Sequence, residues 1–420
     1  MSSILVLSVL LNCSTNETEL VPKLDDNNFE VSAELAIATA KISFLTNGQN
    51  FVKRKETTAQ YAKKAKIVDQ ATAVTDEKGQ TLLHIINYKD DQGWAMVAGD
   101  ERIVPILAYS DQGTFNLGRL PDGVNEWFVM IKKEAKRIKD SKEKIHPAIK
   151  KLWLKHTAVG GSTNRLPSPD DPTGCPPDPD PIDKDDFLKT PTGDRIQFGQ
   201  GAGYNRHVPT PVIMTGNCAC NIPPAGCGPV AVAQIMTYFG KKGILKPSGY
   251  DFVAIPSTLG SAWQCSNETD GQTQLAMLIR RIYYNSNASY VPWACNSVTL
   301  PGQLGQVFGM AGYTNTGGWS DNRWTGAEDL AAGYPIMYWG TKGGFNLNDA
   351  HIWVSSGIQK TMTYSMLDGT TNCILYGPEY RYMNWGWNGN SNGWYSVSMM
   401  NPGGGNPYDT WLDVYKNIRP

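Results

Sequence analysis

The run Ser168-Pro169-Asp170-Asp171-Pro172-Thr173-Gly174-Cys175-Pro176-Pro177-Asp178-Pro179-Asp180-Pro181 can form neither a helix nor a central strand. Each proline removes a backbone donor and fixes φ, so the stretch stays extended and open to proteolysis. It divides the 420 residues into two units, each in need of its own core. Residues 29–156 read as a compact α+β unit, 157–190 as the linker, and 191–420 as a larger unit.

In the first unit, Ser32 is placed to cap a helix with Leu35, Ala38, Ile42 and Leu45 on one stripe. Thr81–Tyr88 and Gly93–Gly99 read as strands across an Asp-rich turn, with His84 as an ordinary strand residue. A second helix carries Val124, Trp127, Phe128, Ile131, Ala135 and Ile138 on one side and a solvated lysine face on the other. The second unit is richer in glycine and aromatics and poorer in charge, as expected of a loop-rich, β-containing exported domain. The net charge of −1 gives no electrostatic case for nucleic acid.

Residues 1–13 read as an export signal. Ile4–Leu11 is apolar but too short to span a bilayer. It ends at Asn12-Cys13-Ser14, which resembles a lipoprotein processing site with Cys13 acylated; a plain signal cut nearby is the alternative. Residues 14–28 are a polar tether. The expected product is a cell-surface or outer-membrane lipoprotein, or a secreted protein, touching membrane only through a lipid on Cys13.

The chemistry concentrates in Ala225-Gly226-Cys227-Gly228-Pro229-Val230-Ala231-Val232-Ala233-Gln234-Ile235-Met236. Pro229 falls in the first turn of a helix, where its missing N–H costs nothing. Val232, Met236 and Phe239 recur at helical spacing, and Gly240 reads as the stop. A cysteine at a helix N-terminus meets unpaired N–H groups and the positive end of the dipole, which favour the nucleophilic thiolate. The bland alternative is a buried or disulfide-bonded cysteine.

A base is available downstream. Of five histidines only His207 and His351 lie in the C-terminal half, and His207 sits in a proline-bearing loop. His351 stands on a short alternating strand, Asp349-Ala350-His351-Ile352-Trp353-Val354-Ser355, where a core histidine is the competing reading. A second strand ends in Asn384-Trp385-Gly386-Trp387. Asn384 is placed to orient an imidazole and Trp385 to shield that contact from water. Thiolate, base and amide in this order match the papain-type acyl-transfer arrangement.

These residues, with Phe198-Gly199-Gln200-Gly201-Ala202-Gly203-Tyr204-Asn205, Tyr334–Gly340 and the closing Val414–Pro420, occur in an order that resembles the streptopain family of bacterial cysteine peptidases. The stretches Val97–Asp100 and Pro105–Phe115 resemble that family's pro-domain. The resemblance implies an α+β, papain-like peptidase domain, its nucleophile helix packed on an antiparallel sheet, preceded by a smaller α+β inhibitory pro-domain. It gives Gln200 the oxyanion role, Cys227 the nucleophile, His351 the general acid/base and Asn384 the orienting amide. It implies protein or peptide substrates with an apolar side chain two residues before the scissile bond, activation by cleavage of the linker, and no metal or organic cofactor. It places the mature start between about Leu188 and Phe198.

The sequence departs from the family in places. Asp349-Ala350 stands where relatives have Gly-Gly before the histidine, with Gly343-Gly344 further back. Asp349 thus puts a carboxylate two residues from the base, which favours the imidazolium. Phe198 and Phe252 stand where tryptophans are usual. Gly403-Gly404-Gly405 reads as a mobile loop bordering the cleft. With Cys13 assigned to lipid and Cys227 to catalysis, Cys175, Cys218, Cys220, Cys265, Cys295 and Cys373 remain. In an exported chain these can form up to three disulfides, and their pairing stays open. A zinc site on Cys218-x-Cys220 lacks a second pair. Two other functions compete with the peptidase: a disulfide-stapled, non-catalytic surface binding lipoprotein, and another Cys-His-Asn acyl transferase such as a transglutaminase.

Overall fold

The computed structural model describes residues 28–46, 66–157, 175–176, 178–210, 218–259, 269–291, 295–314, 318–320, 325–340, 350–366, 373–397 and 412–420. The export signal with Cys13, most of the tether, the linker from 158 to 174, Cys265, Gly343-Gly344, Asp349 and Gly403–Gly405 lie outside the described residues.

The N-terminal unit contributes α1 (Ala33–Thr46), β1 (Val68–Thr75), β2 (Thr81–Tyr88), β3 (Trp94–Ala98), β4 (Ile106–Ser110), α2 (Asp122–Asp140) and α3 (Pro147–Thr157). The Ser32 hydroxyl accepts from Leu35 N, 3.2 Å, as expected of the cap. The buried face of α1 is Ala36, Thr39 and Ala40, however, with Leu35 and Ala38 only half-buried beside it. On α2 the six expected apolar residues are all buried. The His84 ring nitrogen pairs with Val31 O at 2.8 Å, a structural strand residue.

The C-terminal unit begins with β5 (Ile182–Lys184), α4 (Cys227–Lys241), α5 (Asp270–Asn285), β6 (Ser289–Val291), β7 (Asn296–Val298), α6 (Pro301–Met310), β8 (Trp319–Ser320) and α7 (Ala327–Ala331). There follow β9 (Ile336–Gly340), β10 (His351–Lys360), β11 (Thr363–Met366), β12 (Cys373–Tyr376), β13 (Glu379–Asn384), β14 (Gly393–Ser396) and β15 (Leu412–Tyr415). One sheet runs through both units in the order β1-β2-β3-β4-β14-β13-β10-β9-β15-β8, with β5 also on β10. The seam is antiparallel β4–β14, Tyr109 opposite Trp394 and Ala108 opposite Tyr395. Period-two alternation then sorts the core. Tyr338 and Trp353 pack with the helices of the N-terminal unit. Met337, Trp339, Ile352 and Val354 pack with α4, α5 and α6.

Two expectations need correction. The linker, read as 157–190, includes a strand: β5 pairs Ile182–Lys184 with Lys360–Ile358, and Phe187 N donates to Ser356 O, 2.9 Å. The apolar and pairing residues of that stretch follow its last proline, so the proline-based reading carries no further than Pro181. Gly240 does not end α4, which runs to Lys241. A Cβ at Gly240 would lie 2.1 Å from the Phe252 ring, so its role is close packing.

Candidate active site

Cys227 is presented by a backbone that only glycine takes easily. Gly226 has φ 86°, and a Cβ there would sit 3.0 Å from Ser297 O. The loop before it is fastened by polar groups. Asn205 Nδ2 donates to Ile222 O and Pro223 O at 2.9 and 3.0 Å, and Ser297 Oγ to Pro224 O at 2.6 Å. Cys227 then opens α4, half-buried and outside any disulfide.

Gln200 is brought beside it by the same helix. Ala225 N donates to Gln200 O, 2.8 Å. Phe198 N donates to Gln234 Oε1, 3.1 Å, two turns along α4 from Cys227. Gln234 is fully buried, and it clamps the Gln200 segment to the nucleophile helix. Sequence reasoning gave it no role; a glutamine among Ala233, Ile235 and Met236, inside a buried helix, was the available signal.

His351 begins β10, opposite Gly340. Gln200, Cys227 and His351 line one cleft with Asn296–Thr299, Trp339, Ala350 and Ile352. His351 Nε2 lies 2.9 Å from Trp385 O. A carbonyl can only accept, so Nε2 carries the proton and Nδ1 is the basic nitrogen of the neutral ring. The expected Asn384–His351 contact is not the one formed. Asn384 Nδ2 donates to Ile196 O, 2.8 Å, and its Oδ1 accepts from Gly386 N, 3.3 Å. The side chain at the end of β13 is thus used to tie the turn and the Ile196 strand, while the backbone one residue on holds the imidazole. Trp385 itself is buried, its Nε1 donating to Ser391 O and its ring 4.9 Å from Trp353.

Because both Asn384 bonds are buried, Asn384→Ala is expected to lower unfolding stability by about 1–3 kcal/mol, with less effect on turnover than His351→Ala. Denaturant unfolding beside kinetics checks this; unchanged stability with turnover as low as in His351→Ala would restore the orienting role.

The N-terminal unit reaches this site. A Cβ at Gly123, in the first turn of α2, would lie 2.5 Å from His351 Cδ2 and 2.7 Å from Trp385 Cε3. Behind it, Tyr380 OH donates to Ile106 O, 2.9 Å, and Trp127 and Tyr395 rings meet edge-on at 4.8 Å. Arg195 spans the two units, paired in parallel with both oxygens of Asp111 and, through Nε, with Asp186 at 3.0 Å. Burial pushes the Asp186 carboxyl above its usual range, against the pull of the Ser356 hydroxyl and the Arg195 charge.

Disulfides join Cys175 to Cys373 and Cys218 to Cys295, and Cys220 is also disulfide-bonded. With Cys218 and Cys220 so engaged, the zinc reading of that pair loses its thiolates.

Residues 198–395 match the Peptidase C10 family, and residues 35–135 match the family described as Spi protease inhibitor. Over residues 198–395 this chain is similar to the Peptidase C10 family. The inhibitor-like segment precedes the peptidase-like one, and strands of both units stand in one sheet. The thiol protease/hemagglutinin PrtT of Porphyromonas gingivalis is 23% identical over 379 residues, covering 82% of this chain. The chain spans 38% of the length of that relative. Prointerpain A of Prevotella intermedia, solved as a fragment carrying a cysteine-to-alanine change, superposes with TM-score 0.51 at 17% identity, over 85% of this chain and 99% of that one. Active interpain A from the same organism gives TM-score 0.38 at 19% identity, over 58% of this chain and 99% of that one. The prointerpain A likeness bears out the expected fold, a papain-like α+β domain with a pro-domain before it.

Proposed function

We propose that the chain is an exported cysteine endopeptidase made as a zymogen. The observation that carries this is the single cleft holding Gln200, Cys227 and His351 while Gly123 of the N-terminal unit packs on the edge of His351. In this reading the Cys227 thiolate attacks the scissile carbonyl of a protein substrate. The Gln200 amide and Cys227 N–H stabilise the oxyanion. His351 holds its proton at Nδ1, gives it to the leaving amine, and then takes one from the water that breaks the thioester. The Trp385 carbonyl keeps the ring in register throughout. The rival in which Cys227 is bridged finds no support, since Cys227 stands outside any disulfide.

The test is casein digestion by the full chain before and after limited proteolysis, with and without a thiol-directed epoxide. Epoxide-sensitive hydrolysis appearing only after cleavage is expected; no hydrolysis in either form overturns the reading. Gln200→Ala is expected to slow turnover by roughly 10–1000-fold, the scale of one oxyanion donor, with KM little changed. Steady-state kinetics on a peptide substrate check it, and unchanged turnover removes Gln200 from the mechanism.

Export is supported by the disulfides Cys175–Cys373 and Cys218–Cys295, which persist in oxidising compartments. Lipid attachment is the finer reading: palmitate is expected to label the full-length chain and to fail on Cys13→Ser. An unlabelled wild type leaves plain secretion.

A further inference from the structure

We propose that Cys218 and Cys295 are a positioning pair for substrate, their disulfide fastening one wall of the cleft to the loop that presents Cys227. The proposal rests on the peptidase reading above. The wall is β7 and the residue after it: Asn296, Ser297, Val298 and Thr299 all line the cleft with Cys227. Sheet pairing gives that wall little support. β7 has three residues and, among the described residues, pairs only with the three of β6, in a ladder apart from the main sheet. A two-stranded ladder of that length does not hold its own position in water. Besides its packing on α4 and the Tyr283 hydroxyl beside Ser297, two ties join it to the loop that presents Cys227. One is the hydrogen bond from Ser297 Oγ to Pro224 O. The other is the bond from Cys295, the residue immediately before β7, to Cys218, where the loop begins. The loop end is rigid, since Asn205 and Gln200 bind its carbonyls and amide. Position therefore passes from loop to wall through both ties, of which the sulfurs are the covalent one.

The consequence is a conflict of redox demands. Hydrolysis needs Cys227 as a thiolate, which a thiol reductant protects. The same reductant opens the wall. One small-molecule thiolate attacks a sulfur of the cystine, forming a mixed disulfide and expelling the other cysteine as a thiolate. A second thiol resolves the mixed disulfide, so two thiols are oxidised to one disulfide and two cysteines are reduced, each taking a proton from the thiols. Cys295 is partly exposed, so the reagent has an approach. Substrate binding should weaken with rising thiol while the nucleophile stays intact.

The experiment compares the full chain, activated by limited proteolysis, with the same chain carrying Cys218→Ser and Cys295→Ser together. Changing both avoids a stray thiol. The readouts are kcat and KM on a fluorogenic peptide, and the iodoacetamide alkylation rate of Cys227. The double variant is expected to raise KM about tenfold with kcat and alkylation within about twofold, the signature of lost binding alone. Wild-type KM should rise with dithiothreitol in step with alkylation of Cys218 and Cys295 mapped by mass, and the double variant should not respond. KM equal to wild type overturns the proposal. So does a parallel fall in kcat, alkylation rate and melting temperature, which would mark a general structural role. An activated wild type whose Cys227 alkylates readily, yet which hydrolyses no peptide before any alkylation, overturns the peptidase reading, and this role with it.

Discussion

Replacing Cys227 with alanine is expected to remove hydrolysis, by about 10⁴-fold or more, while leaving the fold in place. Among the described residues the other hydroxyls lining the cleft are those of Ser297, which donates to Pro224 O and serves the wall, and Thr299, neither of which opens a helix as Cys227 does. The change is small at a half-buried site, and the preceding Gly226 is held by its own positive φ rather than by the sulfur. Casein hydrolysis after limited proteolysis, read beside a thermal melt, separates chemistry from folding. Activity near wild type in a variant that melts normally would end the cysteine-peptidase assignment.

The second large effect concerns latency. Gly123→Leu is expected to make the uncut chain active. At Gly123 the helix backbone lies against His351 and Trp385, two rings that cannot step aside: one is held by a carbonyl and the other is buried among Trp353 and Tyr395. A leucine there forces α2 outward. Overpacking of this kind costs about 1–3 kcal/mol, enough to raise the population of the open cleft by about 5–150-fold. The measurement is the rate at which an epoxide labels Cys227 in the uncut chain, with linker integrity confirmed by gel. Labelling as slow as in wild type, with stability also unchanged, would mean that this contact does not keep the chain silent.

How much of this was legible in sequence depended on the range of each contact. The nucleophile helix was readable because Pro229, Val232, Met236 and Phe239 announce it within four turns. The same local logic failed at Gly240, where the neighbour that explains the glycine is Phe252, outside the helix. His351 and Gln200 came from motif order, and both line the cleft with Cys227. Asn384 came from the same source, but side-chain bonds at a strand end are decided by whatever backbone lies nearest, here Ile196 and Gly386. Nothing periodic marks Gln234 or Gly123, since each matters through one partner far away in sequence. The shared sheet was hidden for a related reason. β4 and β14 look like edge strands of separate units, and only their register shows them to be neighbours.

The Cys175–Cys373 bond changes what counts as cutting the chain. It joins the linker to β12, closing a ring of polypeptide that contains β5, α4 and His351. A single break inside that ring, at Thr192 for example, opens a circle and sets nothing loose: the N-terminal unit still hangs from the catalytic one through sulfur. A single break ahead of Cys175 falls outside the ring and leaves no covalent link between the two units, only the shared sheet and its core. Two nicked molecules of nearly the same fragment sizes would thus be different species, one with its units tied through sulfur and one with its units held only by non-covalent contacts, told apart by whether thiol was added before the gel.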